Sequence, residues 1–491
     1  MHTRESLREL VRDKLRDYLF IVVSNREPYV HTFAGRGIAC QVPPSGLTTA
    51  LDPVMQACGG TWIAHGSGDA DAHVVDKANR VMVPPQSPSY SLRRIWLSRQ
   101  DEDGYYFGFS NEALWPLCHV AYTRPVFDES DWNTYKKVNQ LFADNVLDEV
   151  GNKKAFVFVQ DYHLALLPRM IKERNPNIIV AQFWHIPWPN PEAFRICPWQ
   201  DEILDGLLGS DMLAFHIRYH CNNFLDTVDR AIESKIDRER YEVILRGKRT
   251  AVRAFPISVD FEAICRDAQG DEVSAEIERL RAKLGLSDEL IGMGLDRFDY
   301  TKGIPDRLRA VDRFFDKYPD YRGKAVFIQV GVPSRVHIPA YQRVNEEIGS
   351  LVEEINWRYG AWQWKPIIYL REYLPPLSLM ALRRMARFAV VSSLHDGMNL
   401  VAKEFVASRF DEDGVLILSP FTGASRELTD AVMVNPYATD HFAEAIRTAL
   451  VMPEVERRRR MRRMRQVVSE GNVYKWAADV VSELVKFEFG G

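Results

Sequence analysis

The hydrophobic residues of this chain fall in short apolar runs separated by longer amphipathic stretches. These runs are rich in β-branched and aromatic residues and do not alternate strictly with polar positions, which is typical of strands buried on both faces. A first series comprises Leu19–Asn25, Ala155–Asp161, Ile178–His185 and Asp211–His216. A second series comprises Leu290–Arg297, Ala325–Gly331, Ile367–Leu370, Phe388–Ser393, Val415–Ser419 and Ala431–Pro436.

The stretches between the runs have the spacing of helices with one apolar face. In "PDRLRAVDRFFDKY" the apolar stripe comprises Leu308, Val311, Phe314 and Phe315. Alternation of buried strands with such helices predicts an α/β fold in which parallel sheets are doubly wound.

A polar, acidic segment that begins at Cys265 separates the two series of strands, and we place the domain boundary near Pro256–Asp260. We predict an N-terminal Rossmann-like domain over residues 1–256, a C-terminal Rossmann-like domain over 257–465 and a C-terminal helix over 466–491. The final helix is amphipathic, and its pattern alone allows it to dock on either domain.

Length and composition exclude several classes of protein. The chain has 491 residues, too many for one core, with 46% hydrophobic and 26% charged residues, as in an ordinary soluble protein. A net charge of −4 gives the whole protein no attraction for nucleic acid. No apolar run approaches the roughly 20 residues that span a bilayer, and the first residues lack the apolar core of a signal peptide. We therefore expect no membrane and no nucleic-acid partner.

The cysteines and the basic segment do not indicate a metal or RNA site. Six scattered cysteines without a CxxC pair indicate reduced thiols and a cytoplasmic location. The sequence contains no convincing metal motif, so we expect neither a metal nor a cofactor. The run Glu456–Gln466 carries seven arginines. It can bind RNA in principle, but the absence of interleaved aromatic residues favours a solvated helix face.

Each candidate for chemistry lies just after a predicted strand. Because ligands of α/β folds bind at the carboxyl ends of the strands, this placement indicates a site assembled from several strand ends. The candidates are Arg26, Asp161, Tyr162, His163, His185, Arg297, Lys302, Arg335, Asp396 and Glu404.

The segment "DRFDYTKGIPDRL" has the features of a diphosphate site. Arg297 and Lys302 follow one strand, and Pro305 suits the first turn of the next helix, whose free amides favour an anion. Arginine binds phosphate bidentately and lysine acts as a point charge. The alternative is a surface salt-bridge cluster with the neighbouring acids Asp296, Asp299 and Asp306.

The segment "LHDGMNLVAKEF" combines two carboxylates with a flexible turn at a helix start. Gly397 allows close approach of the backbone to a ligand, and Met398–Val401 can begin a helix with unpaired amides. Asp396 can accept hydrogen bonds from sugar hydroxyls, and Glu404 can bind a ribose. In the alternative, Asp396 only caps the helix and Glu404 is solvated.

Taken together, these segments resemble the retaining glycosyltransferases of the trehalose-6-phosphate synthase family, glycosyltransferase family 20. The resemblance runs from about Phe20 to Trp476, and the order of its blocks is highly specific. The blocks include "SNREP", "PSGLTTAL", "YYFGFSNEALWPLCH", "VQDYHLALLPRMI", "HIPWPNPEAF", "AFPISVD", "DRFDYTKGIPDRL", "PSR" and "HDGMNLVAKEFVASR".

The resemblance implies the GT-B fold, in which two Rossmann-like domains face each other across a cleft and a C-terminal helix returns to the first domain. It implies transfer of glucose from a nucleotide diphosphate glucose to glucose 6-phosphate, giving trehalose 6-phosphate with retention and without an obligatory metal. UDP-glucose is the expected donor, with GDP-glucose or ADP-glucose as alternatives. A glucosylglycerol-phosphate synthase, or a related transferase with another phosphorylated acceptor, is the alternative activity. A homo-oligomer stays open.

The resemblance also implies roles for individual residues. The expected catalytic residues are His185, Arg297, Lys302 and Asp396. The expected donor-binding residues are Gly46, Arg297, Lys302, Asp396, Gly397, Met398, Asn399, Leu400, Val401 and Glu404. The expected acceptor-binding residues are Arg26, Tyr106, Trp115, Asp161, Tyr162 and Arg335, with His216 near the site.

Two positions depart from the family pattern. Ser45 precedes Gly46 where the family has a second glycine, which predicts a less mobile donor loop. His395 replaces an arginine, which removes one cation near the donor and leaves the preference for a nucleobase open. A catalytically silent sugar-phosphate sensor on the same fold is disfavoured, because the complete set of charged site residues is present.

Overall fold

The computed structural model describes residues 2–15, 18–43, 46–361 and 364–487. It divides into two compact units, Met1–Ile257 with Val473–Gly491, and Ser258–Asn472. The first transition lies one residue from the predicted boundary at 256/257. The predicted boundary at 465/466 falls inside the helix Glu454–Glu470, and the change of unit comes instead at the break that follows that helix.

The first unit is built on a ten-stranded sheet and a separate hairpin. Its strands are β1 (Tyr18–Arg26), β2 (Val30–Ala34), β3 (Gly37–Gln41), β4 (Thr61–His65), β5 (Arg80–Val83), β6 (Tyr90–Ile95), β7 (Lys154–Gln160), β8 (Ile179–Phe183), β9 (Met212–Phe215), β10 (Lys235–Asp237), β11 (Glu242–Leu245) and β12 (Lys248–Ala254). The sheet order is β10-β11-β12-β9-β8-β7-β1-β4-β6-β5, and β2 pairs with β3.

The centre of this sheet is parallel, and its two edges are antiparallel. The strands from β12 to β6 in the sheet order pair in parallel, whereas β10, β11 and β5 run antiparallel to their neighbours. Every residue of β8 and all but the first of β7 are buried, as expected for strands covered on both faces.

Ten helices connect the strands of the first unit within the described residues. They are α1 (Arg4–Lys14), α2 (Gly46–Cys58), α3 (Asp71–Val74), α4 (Arg99–Glu102), α5 (Trp115–His119), α6 (Glu129–Val150), α7 (Leu167–Arg174), α8 (Pro191–Phe194), α9 (Gln200–Leu207) and α10 (Arg218–Ala231). A π-helix, Asp103–Leu114, runs directly into α5. Such wide turns are frequent at functional sites, and this one contains Tyr106.

The second unit has a six-stranded, fully parallel sheet. Its strands are β13 (Leu290–Arg297), β14 (Ala325–Val332), β15 (Ile367–Leu370), β16 (Phe388–Val391), β17 (Val415–Leu418) and β18 (Val432–Met433), in the order β15-β14-β13-β16-β17-β18. Its helices are α11 (Phe261–Asp267), α12 (Asp271–Leu284), α13 (Ile304–Lys317), α14 (Pro339–Tyr359), α15 (Pro376–Met385), α16 (Leu400–Ser408), α17 (Thr439–Val451) and α18 (Glu454–Glu470).

Helix α13 shows how the apolar pattern positions the second unit's core. Its predicted stripe of Leu308, Val311, Phe314 and Phe315 is buried in a cluster with residues of β14 and α17. This packing fixes the start of α13, and with it the turn that carries Lys302. The last helix, α19 (Val473–Leu484), belongs to the first unit, where it packs on α1 and α2.

The predicted doubly wound α/β class is confirmed, and each of the ten predicted strands is present. No strand was predicted in the regions of β2 to β6 or β10 to β12. Charged residues interrupt several of these segments, such as Arg93 and Arg94 in β6 and Arg249 and Arg253 in β12, so that they lack a continuous apolar run. Among the described residues no helix is both long enough and apolar enough to cross a bilayer.

Candidate functional site

The first unit brings Arg26 and Tyr106 together at the end of β1. A register shift between Ser24 and Arg26 interrupts the pairing of β1 with β4. The guanidinium of Arg26 donates a hydrogen bond to the Tyr106 hydroxyl at 2.9 Å. The Tyr106 ring also stacks on His163, with centroids 5.6 Å apart and planes 11° apart. The Arg26 guanidinium and the Tyr106 hydroxyl, 80 positions apart in sequence, thus form one polar cluster.

Asp161 begins the turn after β7 and joins several other candidates. Its φ of 71° is unusual for a residue other than glycine. One carboxylate oxygen accepts hydrogen bonds from the backbone amides of Tyr162 at 3.0 Å and His185 at 3.3 Å. The backbone carbonyl of Asp161 accepts a further bond from Gln182 at 2.8 Å. These bonds fix the strained turn and tie the ends of β7 and β8 together.

Asn111 links the aromatic residues around Tyr106 and Tyr162 in the first unit. It was not among the residues predicted from the sequence. Its amide donates to the Tyr106 carbonyl at 2.6 Å, and its side-chain oxygen accepts from the Tyr162 hydroxyl at 2.8 Å. The Trp115 ring lies 5.7 Å from the Tyr162 ring. Asn111 lies within the block "YYFGFSNEALWP", between the predicted site residues Tyr106 and Trp115. This position is the feature of the sequence from which it could have been selected.

His185 lies at the end of β8 as a neutral imidazole. Its Nε2 is 2.9 Å from the Gln160 side-chain oxygen, and its ring stacks on Phe183. Burial lowers the pKa of His185 to about 3, because the charged form loses its hydration. The His216 ring is 5.1 Å away, and its Nδ1 accepts a hydrogen bond from the Ile257 amide. A neutral His185 is unsuited to act as a general acid near pH 7.

The lowered pKa of His185 predicts a pH effect on stability. Below its ordinary value of 6.5 the unfolded chain takes up a proton that the folded chain does not, so the stabilisation is lost as pH falls towards 3. Between pH 7 and 5, thermal unfolding of the wild type should shift down by a few °C more than that of His185→Gln. Calorimetry across this range measures the difference, and parallel curves for the two proteins would contradict the assignment.

Gly46 is the first residue of α2 and is exposed. No described contact brings it to the other candidates of the first unit. Ser45, which the sequence analysis connected with loop mobility, lies outside the described residues.

In the second unit, Lys302 and Asp396 form an ion pair at the ends of β13 and β16. The Lys302 ammonium is 2.6 Å from one Asp396 carboxylate oxygen. The same oxygen accepts hydrogen bonds from the Ser393 hydroxyl and the Asn399 amide, both at 3.2 Å. Ser393 is thus a further contact that the sequence analysis did not identify. Both charged side chains remain partly exposed, which leaves them accessible to a ligand.

Asn399, and not Asp396, caps the helix that follows. The Asn399 side-chain oxygen accepts a hydrogen bond from the Ala402 amide at 3.0 Å, and α16 begins at Leu400. The alternative in which Asp396 serves only as a cap is therefore wrong. The carboxylate faces Lys302 instead, and the backbone of Asp396 is held by Phe421 and Gly423.

The glycines around this turn allow close backbone packing. A Cβ on Gly423 would lie 2.0 Å from the Gly397 carbonyl oxygen, and a Cβ on Gly303 would lie 2.3 Å from the Ser392 carbonyl. Gly303 also has a φ of +61°, which favours glycine. The turns carrying Lys302 and Asp396 are thus locked against one another, so that the ion pair has a rigid support.

Glu404 lies on α16 and forms an ion pair with Arg383 of α15. Arg383 is buried, and the Glu404 side chain is 19% exposed. The alternative in which Glu404 is simply solvated is therefore wrong. Arg383 fixes the carboxylate while leaving part of it accessible, and a partly free carboxylate oxygen can accept a hydroxyl hydrogen bond.

Arg297 and Arg335 share the carboxylate of Asp299. Each guanidinium has a nitrogen 3.8 Å from the same oxygen of Asp299, which is fully buried. The Arg297 side chain is 34% exposed, whereas that of Arg335 is 4% exposed. Tyr341 contacts both Arg335 and Asp299 through its hydroxyl. Arg335 thus belongs to the second unit, and Arg26 to the first.

The alternative of a surface salt-bridge cluster around Arg297 and Lys302 does not describe the observed contacts. Lys302 pairs with Asp396, and Asp296 pairs with the buried Arg307 at 2.7 Å. Asp306 lies 3.8 Å from Arg309 on its own helix. Asp299 faces two predicted cations, Arg297 and Arg335, and this carboxylate is buried. The salt-bridge alternative is therefore wrong for Lys302, whose ion-pair partner is Asp396. For Arg297 it holds only in the contact with Asp299.

The arginine-rich helix α18 is ion-paired within the second unit. Arg457 is buried and donates two hydrogen bonds to Asp413, and Arg465 donates to the carbonyls of Val406 and Ala407 at the end of α16. The other five arginines pair with glutamate or aspartate side chains and stay partly or largely exposed. These five form the predicted solvated face, whereas Arg457 and Arg465 tie the helix to Asp413 and to the end of α16.

Each unit presents its own group of polar side chains at the ends of its strands. The first presents a cation, hydroxyl groups and aromatic rings at strand ends, which suits a phosphorylated polyol. The second presents Arg297, Lys302 and partly exposed carboxylates, which suits a diphosphate joined to hydroxyl-bearing groups. Within the described ranges no three histidine, cysteine or acidic side chains cluster as metal ligands would.

Comparison with known proteins identifies the family. Residues 18–486 match Glycosyltransferase family 20. The trehalose-6-phosphate synthase of Mycobacterium avium is 37% identical over 476 residues, covering 95% of both chains. A bifunctional trehalose-6-phosphate synthase/phosphatase of Thermoproteus tenax is 36% identical over 95% of this chain. The chain spans 63% of that protein's length and 62% of a similar one from Dictyostelium discoideum.

Solved structures agree with this assignment. One described as trehalose-6-phosphate from E. coli bound with UDP-2-fluoro glucose superposes with a TM-score of 0.84 at 31% identity, covering 95% of this chain and 98% of that one. A UDP-forming synthase from Burkholderia xenovorans, in complex with glucose-6-phosphate, gives 0.85 at 30% identity, covering 95% and 99%. The implied GT-B class is confirmed. The chain belongs to glycosyltransferase family 20.

Proposed function

We propose that this chain is a retaining glucosyltransferase that forms trehalose 6-phosphate from UDP-glucose and glucose 6-phosphate. The observation that carries the proposal is the rigid constellation of Arg297, Lys302 and Asp396 at adjacent strand ends, in a chain that matches the family over residues 18–486. The names of the relatives indicate the donor and the product. The cationic side chains at the strand ends of this chain have the charge that phosphorylated substrates require.

In the proposed reaction the donor lies on the second unit. Arg297 and Lys302 bind the diphosphate, Asp396 accepts hydrogen bonds from the hydroxyls of the transferred glucose, and Glu404 binds the ribose. The backbone amides of Gly397–Val401 contribute at the start of α16, whose dipole favours an anion. The pair between Lys302 and Asp396 must then open, or share its ammonium with the diphosphate.

The proposed acceptor-binding residues of the first unit include Arg26, which would bind the acceptor phosphate; Arg335, the other predicted phosphate-binding residue, belongs to the second unit. Tyr106, Trp115, Asp161 and Tyr162 shape the pocket, and the backbone carbonyl of His185 faces the reacting sugar.

The chemical step follows from these positions. The bond between the glucose anomeric carbon and the β-phosphate oxygen breaks, and the acceptor hydroxyl forms a new bond on the same face. The proton of that hydroxyl passes to the departing phosphate oxygen. Arg297 and Lys302 stabilise the negative charge that develops on the diphosphate. The imidazole of His185 is a weak base, because burial lowers its pKa to about 3, and its Nε2 already contacts the Gln160 side chain.

The proposal includes a cytoplasmic location and an enzyme without a cofactor. The six cysteines are all free thiols, which persist in a reducing compartment. Whether the chain forms a homo-oligomer stays a prediction to be tested by light scattering.

The test is nucleotide release by the purified protein in the presence of EDTA. UDP-glucose, GDP-glucose and ADP-glucose are each offered with glucose 6-phosphate or glycerol 3-phosphate. We expect release that depends on glucose 6-phosphate and is fastest with UDP-glucose, together with an α,α-linked product by NMR. Release with glycerol 3-phosphate alone would assign the alternative activity, and the absence of release with every pair would contradict the transferase proposal.

A further inference from the structure

The buried carboxylate of Asp299 lies at the centre of a contact network behind the proposed phosphate cations. One of its oxygens accepts hydrogen bonds from the Thr301 amide at 3.0 Å and the Thr301 hydroxyl at 2.9 Å. These bonds shape the short 3₁₀ turn that carries Lys302. The other oxygen faces Arg297 and Arg335, each at 3.8 Å, and accepts from Tyr341 at 3.3 Å.

Two guanidinium groups face this one carboxylate, but they differ in exposure. Arg335 is almost fully buried and its charge therefore needs a nearby anion, whereas Arg297 reaches solvent. Arg297 thus lies on the exposed side of the network, where the donor diphosphate is proposed to bind.

Tyr341 holds Arg335 in a defined position. The Arg335 guanidinium donates to the Tyr341 hydroxyl and also lies over its ring, 5.4 Å from the centroid. The Arg335 backbone has a φ of 50°, and its carbonyl accepts from the Ile338 amide at 2.9 Å. A left-handed residue persists only where its surroundings determine it strongly. Here the turn before α14 and Tyr341 together provide that determination.

The electrostatics of Asp299 agree with a permanently charged carboxylate. Burial alone would raise the pKa of Asp299, but the charges of Arg297, Arg335 and Lys302 and the hydrogen bond from Thr301 outweigh it. The pKa of Asp299 therefore lies below its ordinary value. The carboxylate consequently stays ionised wherever the protein is folded near neutral pH.

We propose that Asp299 and Tyr341 are positioning residues that hold Arg297 and Arg335 as one coupled cationic pair, in which the donor cation and the acceptor cation share a single buried carboxylate. This inference rests on the proposed function for the meaning of the two phosphates. Binding of one phosphate should therefore alter the position of the cation that receives the other. The pair would link recognition of the two substrates without direct contact between them.

The kinetic test compares Asp299→Asn and Tyr341→Phe with two matched controls. Asp413→Asn removes another charged acceptor of an arginine, Arg457, in the same unit, and Tyr369→Phe removes another buried hydroxyl. We expect Tyr341→Phe to raise the KM for both UDP-glucose and glucose 6-phosphate by about tenfold, and Asp299→Asn by more. In the controls both KM values should stay within about twofold, although Asp413→Asn should lower Tm. An increase in only one KM would overturn the coupling.

A second measurement separates this inference from the proposed function. The Nε–H signals of Arg297 and Arg335 are assigned in 15N NMR spectra with Arg297→Lys and Arg335→Lys. We expect Tyr341→Phe to move both signals and Tyr369→Phe to move neither. If the wild type transfers no glucose, the proposed function fails while these signals still decide the coupling. An Arg297 signal that is unchanged in Tyr341→Phe would contradict it.

Discussion

Replacement of Arg297 by alanine should lower kcat/KM for UDP-glucose by about 10³-fold, the largest effect that we expect from a single substitution. The guanidinium lies at the end of β13, is partly exposed and contacts the buried carboxylate of Asp299. A preorganised cation at the departing diphosphate acts mainly on the transition state, and loss of one such donor costs about 10²–10³-fold in rate. Steady-state release of UDP measures the effect.

Arg309→Ala is the matched control for Arg297→Ala. Arg309 lies on α13 in the same unit, pairs with Glu347 at the surface and is 46% exposed. Surface pairs of this kind contribute little, so activity and Tm should both stay near the wild-type values. Binding of UDP, measured by calorimetry, should weaken in Arg297→Ala alone and become less sensitive to salt. Turnover unchanged in Arg297→Ala would remove the diphosphate assignment.

The apolar pattern was sufficient to predict the scaffold because buried parallel strands have a strong compositional signal. The predicted bounds of β13, Leu290–Arg297, coincide with the observed bounds. The π-helix around Tyr106 had no such signal, since its residues also fit an α-helix or a loop. The π-helix packs against α6, the helix that follows α5, and this contact is not visible in the local sequence pattern.

The site was predictable as a set of strand ends, but its internal contacts were not. The sequence places Asp299 two residues from Arg297, which gave only a generic salt bridge as the alternative. Tyr341 lies more than 40 residues from Asp299, on an amphipathic helix. A tyrosine in such a helix usually indicates only that its side chain packs in the core. Arg383 likewise carried no signal for Glu404. Such partners depend on how helices meet strand ends, and a single sequence does not encode that meeting locally.

Because it pairs with Lys302, the Asp396 carboxylate should have opposite effects on the two parts of the donor. An ammonium neutralised by a carboxylate at 2.6 Å attracts a diphosphate less strongly than a free one. In the proposed function, however, Asp396 accepts hydrogen bonds from the hydroxyls of the donor's glucose. One carboxylate therefore opposes binding of the diphosphate and favours binding of the glucose, and substitution at this position should separate the two effects.

Asp396→Asn should lower glucose transfer by about 10²-fold while leaving the affinity for UDP unchanged or higher. The amide keeps the shape of the side chain but removes the charge that hydrogen-bonds the sugar hydroxyls, and charge-assisted bonds are about twice as strong as neutral ones. Lys302 loses its counter-ion at the same time and is available to the diphosphate. Stopped assays of UDP release give the transfer rate, and calorimetry with UDP gives the affinity.

A double-mutant cycle with Lys302→Met decides whether the two effects arise from this pair. Lys302→Met alone should weaken UDP binding and transfer together, and in that background Asp396→Asn should no longer raise the affinity for UDP. Asp306→Asn, which removes a carboxylate near Arg309 on the following helix, is the matched control and should change neither quantity. If Asp396→Asn weakened UDP binding as much as transfer, the carboxylate would be holding the nucleotide or the fold, and its assignment to the transferred glucose would have to be given up.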